Sequence, residues 1–212
     1  MKSIKTIAIA LLSATILISC GGETTKESAE NTEAVKETCT YTYVSDSTTL
    51  KWTAYKFTKR AGVSGTFNHI AVNNTITAEN PFDVLVGADF SIHTPSVNSG
   101  NAERDPKLVK FFFEQLADTE IIKGKIVSVN GAEAVVTITM NGKSVDVVGK
   151  VTVEANKVSL STSVDMADFE GLGAIESLHE VCAAKHTDED GESILWPDVD
   201  IIVSTVLKKE CK

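Results

Sequence analysis

The sequence predicts a mainly β fold: eight mostly antiparallel strands closing into a barrel, accompanied by two short helices. Three observations carry this expectation. Apolar and polar residues alternate with period two in one segment after another, as strands that bury a single face require. Asn-Gly steps separate several of these segments, and both residues tolerate the positive φ of tight hairpin turns. The number of segments suits a sheet that closes on itself around an interior just wide enough for side chains or one slender ligand.

Residues 1–38 stand apart from that pattern. Lys2 and Lys5 form a short basic start, Ile7 to Ile18 is an almost unbroken apolar run, and the run stops at "LISC", Leu17 to Cys20. About a dozen apolar residues fall short of the roughly 20 that cross a bilayer, so residues 1–19 read as a secretory leader. A leucine three residues before a cysteine, with a small residue directly before it, resembles the bacterial lipobox. Cys20 is therefore expected to become the lipidated first residue of the mature chain; a plain signal peptide would leave it as an exposed reactive thiol. Gly21 stands where an inner-membrane retention signal would place aspartate, which points to the outer membrane of the cell envelope.

Residues 20–38 then carry the lipidated cysteine and "GGETTKESAENTEAVKET", which has one aliphatic side chain larger than alanine and no aromatic. Such a segment cannot bury enough apolar surface to offset its ordering entropy and is expected to be a flexible tether. Residues 39–212, about 170, suit one domain with a sizeable core. Removing Lys2 and Lys5 with the leader takes the formal net charge from −9 to −11. That charge repels nucleic acid and anionic membrane surfaces, so attachment to a membrane falls to lipid on Cys20.

Within the domain, Leu50, Trp52 and Ala54 alternate with Lys51 and Thr53, and Val63, Gly65 and Phe67 with Ser64 and Thr66. In "VLVGADFSIH", Val84, Val86, Ala88, Phe90 and Ile92 share one face and must be covered. The series continues through Ile122 to Val129, Ala134 to Met140, Val145 to Val153, Val158 to Val164 and Val199 to Leu207, with turns at "NGAE", "NGKS" and "EANK". Two segments break the pattern. Asp105 and Pro106 read as a capping carboxylate and a residue whose missing N–H costs nothing in a first turn, after which Leu108, Val109, Phe112 and Leu116 recur at helical spacing. The second helix lies in residues 171–198, with Ile175, Leu178, Val181, Cys182 and Lys185 on one face and an acidic turn, "TDEDGE", at its end.

Cys39, Cys182 and Cys211 remain after Cys20, an odd number that leaves one thiol unpaired or paired elsewhere. Cys39 precedes the first strand and Cys211 ends the last. If those strands lie antiparallel side by side the two are neighbours, and Cys39–Cys211 is the disulfide expected.

No catalytic constellation is legible. The four histidines, His69, His93, His179 and His186, have no serine or cysteine elbow near them, and no glycine-rich phosphate loop joins a strand to a helix, so neither enzyme activity nor a cofactor is expected. His179, Cys182 and His186, with Asp188 or Glu189, have the spacing to hold zinc on one side of a helix. The simpler account has the histidines flanking an apolar stripe with Cys182 packed beneath, and no metal is expected. Arg104 has two readings: it ties its loop to a nearby acceptor, or its planar fork grips an acidic or polar headgroup at a cavity mouth.

The order of "LKWTAYKF", "GVSGTFNHI", "ADFSIHTPSVNSGNAERDPKLVKFFF" and "VTITMNGKSVDVVGKVTV" resembles the YceI-like family of secreted bacterial proteins, also called polyisoprenoid-binding proteins. The resemblance spans Leu50 to Val164 and resumes over Val199 to Leu207. It implies a lipocalin-like antiparallel barrel enclosing a long isoprenoid or quinone-like chain, a binding protein without catalysis. Carried over by position, the cavity wall would comprise Trp52, Phe67, Val86, Phe90, Ile92, Leu108, Phe112, Val136, Ile138 and Phe169. The chain departs from the family where Phe169 leads into the 171–198 insertion. A contrasting reading is a non-catalytic scaffold lipoprotein with a filled barrel core and the acidic insertion as its docking surface.

Overall fold

The computed structural model describes residues 37–118 and 120–212; the expected leader, Cys20 and most of the tether lie outside them. Eleven strands and two helices follow in chain order among the described residues: β1 (Cys39–Tyr43), β2 (Thr49–Lys56), β3 (Ala61–Phe67), β4 (Ile70–Asn73), β5 (Asp89–His93), β6 (Val97–Asn98), α1 (Asp105–Phe111), β7 (Ile121–Asn130), β8 (Glu133–Met140), β9 (Lys143–Glu154), β10 (Lys157–Asp165), α2 (Leu172–His186) and β11 (Leu195–Cys211). All pairings are antiparallel.

The hydrogen-bonded path runs β4-β5-β7-β8-β9-β10-β11-β2-β3-β6, with β1 paired to the far end of β11, and the sheet curls into an open half-barrel. Eight strands was therefore too low a count. Only Asn68 and His69 separate β3 from β4, and a tight turn over Thr94–Ser96 separates β5 from β6, so two extended runs are each broken in two. β1 supplies the remaining strand. The seam between the sheet's ends is laced by the same breaks: Asn68 donates its N–H to the Ser96 carbonyl (2.9 Å), His69 its N–H to Ser96 Oγ (3.0 Å), and His93 its N–H to the His69 carbonyl (3.1 Å).

The β7 to β10 meander follows the sequence pattern most closely. Asn141 and Gly142, φ 51° and 69°, form the two-residue turn between Met140 and Lys143 that the Asn-Gly step predicts. The "VLVGADFSIH" segment does not form one strand. Asp83–Leu85 winds into a single 3-10 turn, Gly87 takes φ +82°, and the strand starts only at Asp89. That turn shifts the side-chain register, so Val84 is fully buried in the core while Val86 leaves the expected face.

The helices also correct two expectations. Asp105 makes no capping bond; its carboxylate accepts from the Ser99 N–H (2.9 Å) and hydroxyl (2.5 Å), holding the preceding loop. Asn101 does the work assigned to it, its Oδ1 accepting from the Glu103 and Arg104 N–H groups at 3.0 Å each. In α2 the buried positions are Ala174, Leu178 and His186, whereas Val181, expected on the buried face, is 41% exposed.

Two clusters of buried side chains make up the core. One gathers Leu50, Trp52, Phe67, Ile92, Phe113, Met140, Met166 and Phe169 beneath α1 and α2. The other gathers Val84, Ala134, Val136, Val151, Val158 and Leu207. In the β1–β11 ladder Cys39 lies opposite Cys211, and a disulfide joins them; among the described residues Cys182 is the free thiol.

Candidate functional site

The inward faces of the strands leave a space. A cavity of about 240 Å³ lies inside the half-barrel, and its wall presents no polar surface. That volume and chemistry suit one slender apolar chain, since apart from Thr48, Asp89, Thr162 and Thr205 the lining is aliphatic or aromatic. Strand alternation builds it: Leu50, Trp52 and Ala54 from β2, Val136, Ile138 and Met140 from β8, and Val199, Ile201 and Val203 from β11 all point inward.

Two of its aromatics lie across from glycines. Trp52 pairs with Gly65, and Phe90 with Gly124. A Cβ on Gly65 would stand 2.2 Å from the Trp52 ring, and one on Gly124 2.1 Å from the Phe90 ring, so each ring occupies the room its partner's side chain would need. The Trp52 Nε1–H donates to the Thr66 carbonyl (3.2 Å), which satisfies the ring's single polar group within the sheet and leaves its carbon face for the cavity. The helices close the space with Leu108, Phe112, Ile175 and Leu178. Phe113 stacks edge-on to both Phe67 (5.9 Å) and Phe112 (5.0 Å).

Nine of the eleven expected ligand-contacting residues line this one cavity: Trp52, Phe67, Phe90, Ile92, Leu108, Phe112, Val136, Ile138 and Phe169. Val86 and Arg104 do not. The 3-10 turn turns Leu85 inward in place of Val86, and Arg104 opens onto a neighbouring pocket. Leu50, Phe113, Met140, Met166, Leu195 and Trp196 also line the cavity and were not singled out. Leu50 was within reach of sequence reasoning, because it shares the alternating face of Trp52. Phe113 was not, because α1 ends at Phe111 and the chain tightens into a 3-10 turn that swings the third phenylalanine inward.

The neighbouring pocket, about 120 Å³, adds a basic rim to an apolar floor that includes Trp52, Val63 and Leu195. Lys56, Arg104, Lys107, Lys185 and His186 line it, with Glu103 and Cys182. Burial, then the charges of Arg104 and Lys185, lower the Lys56 pKa. Lys56 Nζ donates to the Lys185 carbonyl (2.8 Å), and Lys185 reaches Glu103 at 3.6 Å. His186 is 9% exposed, and its buried Nδ1 has no hydrogen-bond partner. Burial first, then His179 and Lys56, push its pKa down to about 4, so it is neutral at neutral pH. His179 lies 5.5 Å from it, ring to ring, and its Nε2 bonds Ser193 Oγ at 2.7 Å. Among the described residues no three His, Cys, Asp or Glu side chains stand together as a metal site would require. Nor is any helix there long and apolar enough to cross a membrane.

Residues 41–206 match the YceI-like domain. The chain belongs to the YceI-like family. Among solved structures, this YceI-like chain is similar to a polyisoprenoid binding domain from Saccharophagus degradans implicated in plant cell wall breakdown, at 15% identity and a TM-score of 0.56, covering 80% of this chain and 98% of that one. BcnA of Burkholderia cenocepacia aligns at 14% identity and a TM-score of 0.48, over 77% of this chain and 96% of that one. A Campylobacter jejuni YceI protein aligns at 16% identity and a TM-score of 0.44, over 74% and 89%. No curated protein matches the chain. At these identities the likeness to the Saccharophagus domain speaks for the shared fold.

Proposed function

We propose that the protein is a lipid-anchored binding protein of the bacterial cell envelope whose half-barrel takes up one isoprenoid, quinone or similar long-chain amphiphile. The observation that carries the reading is the cavity, whose wall presents no polar surface and is drawn from strands and both helices. An empty apolar space of this kind forfeits dispersion contacts along its whole lining, which a bound chain restores. Family membership supports the same reading, and so does the polyisoprenoid binding stated for the Saccharophagus domain. The scaffold alternative required a filled core, and the cavity speaks against it.

The anchor is proposed to be lipid on Cys20, with the outer membrane as its site, and residues 21–38 as the tether that gives the domain reach. The chemistry assigned to the protein is binding by apolar burial, with no covalent step. Organic extraction of the purified protein followed by mass spectrometry tests the reading. A co-purifying long-chain lipid, lost when Phe90→Asp places a charge in the wall, is expected. Protein that carries no lipid and takes up none from vesicles would end the proposal.

A further inference from the structure

We propose that the basic pocket beside the cavity receives the headgroup of the bound amphiphile, and that this headgroup is anionic, a carboxylate or a phosphate. The inference rests on the cavity reading above and adds to it the chemical class of the ligand.

The two spaces adjoin. Trp52, Ala54, Leu108, Leu178 and Leu195 line both, so a molecule with its chain in the barrel meets the pocket at the chain's end. The pocket gathers Lys56, Arg104, Lys107 and Lys185 against Glu103, in a chain whose formal net charge is −9. Glu103 leans toward Lys185. Neither Arg104 nor Lys107 has an ion-pair partner among the described residues. Burial first, then Arg104 and Lys185, make a proton on Lys56 harder to keep, with Asp188 working against them, as expected where positive charges crowd a partly desolvated place.

A neutral alcohol or quinone oxygen would leave the surplus charge of Arg104 and Lys107 unanswered; a phosphate or carboxylate answers it. Lys185 and His186 come from the 171–198 segment, so this insertion supplies part of the headgroup site.

Tryptophan emission provides the test, because both tryptophans of the chain, Trp52 and Trp196, line the cavity. Farnesyl phosphate and farnesol, which share a chain and differ in charge, are titrated separately into the purified protein. Farnesyl phosphate is expected to bind about tenfold or more tightly than farnesol, as one charge-assisted contact allows. The preference should shrink as salt rises while farnesol binding holds. An Arg104→Gln, Lys107→Gln double variant, which breaks no ion pair of the native fold, should lower phosphate binding to the alcohol's level and leave the alcohol unchanged. Equal binding of the two ligands to the native protein, or a preference that survives the double variant, overturns the anionic headgroup alone. Failure of both ligands to bind overturns the cavity reading and this inference with it. Inorganic phosphate alone should have little effect; binding as tight as that of farnesyl phosphate would overturn the headgroup assignment in favour of a free anion.

Discussion

The two ends of the half-barrel share strands and differ in how they are filled. At one end Val84, Ala134, Val151, Val158 and Leu207 interdigitate, with Val84 and Leu207 wholly buried. At the other, Trp52, Phe67, Phe90, Phe112 and Phe113 surround open space. Aliphatic side chains of modest size pack across a curled sheet, whereas large rings laid over glycine are spent on covering the wall and leave the middle empty. One sheet thus packs solidly at one end and holds a cavity at the other.

The sharpest test of that division is a pair of truncations. Leu207→Ala at the packed end should cost about 4 kcal/mol, since it removes a fully buried side chain where little can collapse. Phe112→Ala, already facing the cavity, should cost much less stability and far more ligand binding. Urea denaturation of both, with unchanged m values, measures the contrast. Equal losses would show that the ends are not energetically distinct.

Gly65→Ala probes the ring-over-glycine device. The added methyl would meet both the Trp52 ring and the Asn98 carbonyl at 2.7 Å, so something must shift, at an expected cost of about 2 kcal/mol. The displaced indole should also alter the near-ultraviolet dichroism. A stable variant with an unchanged spectrum would mean that the ring has room to spare.

Acid should act at the basic pocket before it acts elsewhere. The folded-state pKa of His186 is about 4 against 6.5 in the ordinary range, so protonation favours the unfolded chain. The stability this provides is complete above pH 6.5 and declines as pH falls toward 4, by on the order of 2 kcal/mol. Asp188, Asp190 and Asp198, whose pKa values are lowered by their partners Lys59, Thr58 and Arg60, act only below the usual carboxylate value of 3.8. His186→Gln should therefore flatten the pH 4 to 6.5 limb of a thermal-melt profile and leave the lower limb in place.

The smallest effect is expected at the loop. Asn101→Ala removes the acceptor for two N–H groups before α1 and should cost about 1 kcal/mol, whereas Asp105→Asn should chiefly loosen Ser99. Melting temperatures of the two variants would rank them.

What was legible in the sequence follows from length and turn chemistry. β7 to β10 are eight residues or longer and joined by short turns, so alternation and Asn-Gly steps suffice. β1, β4 and β6 have five, four and two residues, too few for a period of two to register. Val86 leaves the expected face because the 3-10 turn over Asp83–Leu85 and the positive φ of Gly87 interrupt the alternation ahead of the strand that begins at Asp89. Arg104, expected at the cavity mouth, lines the neighbouring pocket instead, a separation that only the folded loop makes. Whether an inward aromatic fills or lines is a property of its cross-strand partner, and the glycines opposite Trp52 and Phe90 are the signal that alternation alone ignores.

β11, the last strand of the chain, pairs with β10 along one edge and with β2 and then β1 along the other. Without residues 195–212, β2-β3-β6 and β4-β5-β7-β8-β9-β10 share no strand ladder and meet only at the seam around Asn68, His69, His93 and Ser96. Closure must wait for contacts far apart in sequence, the slow kind.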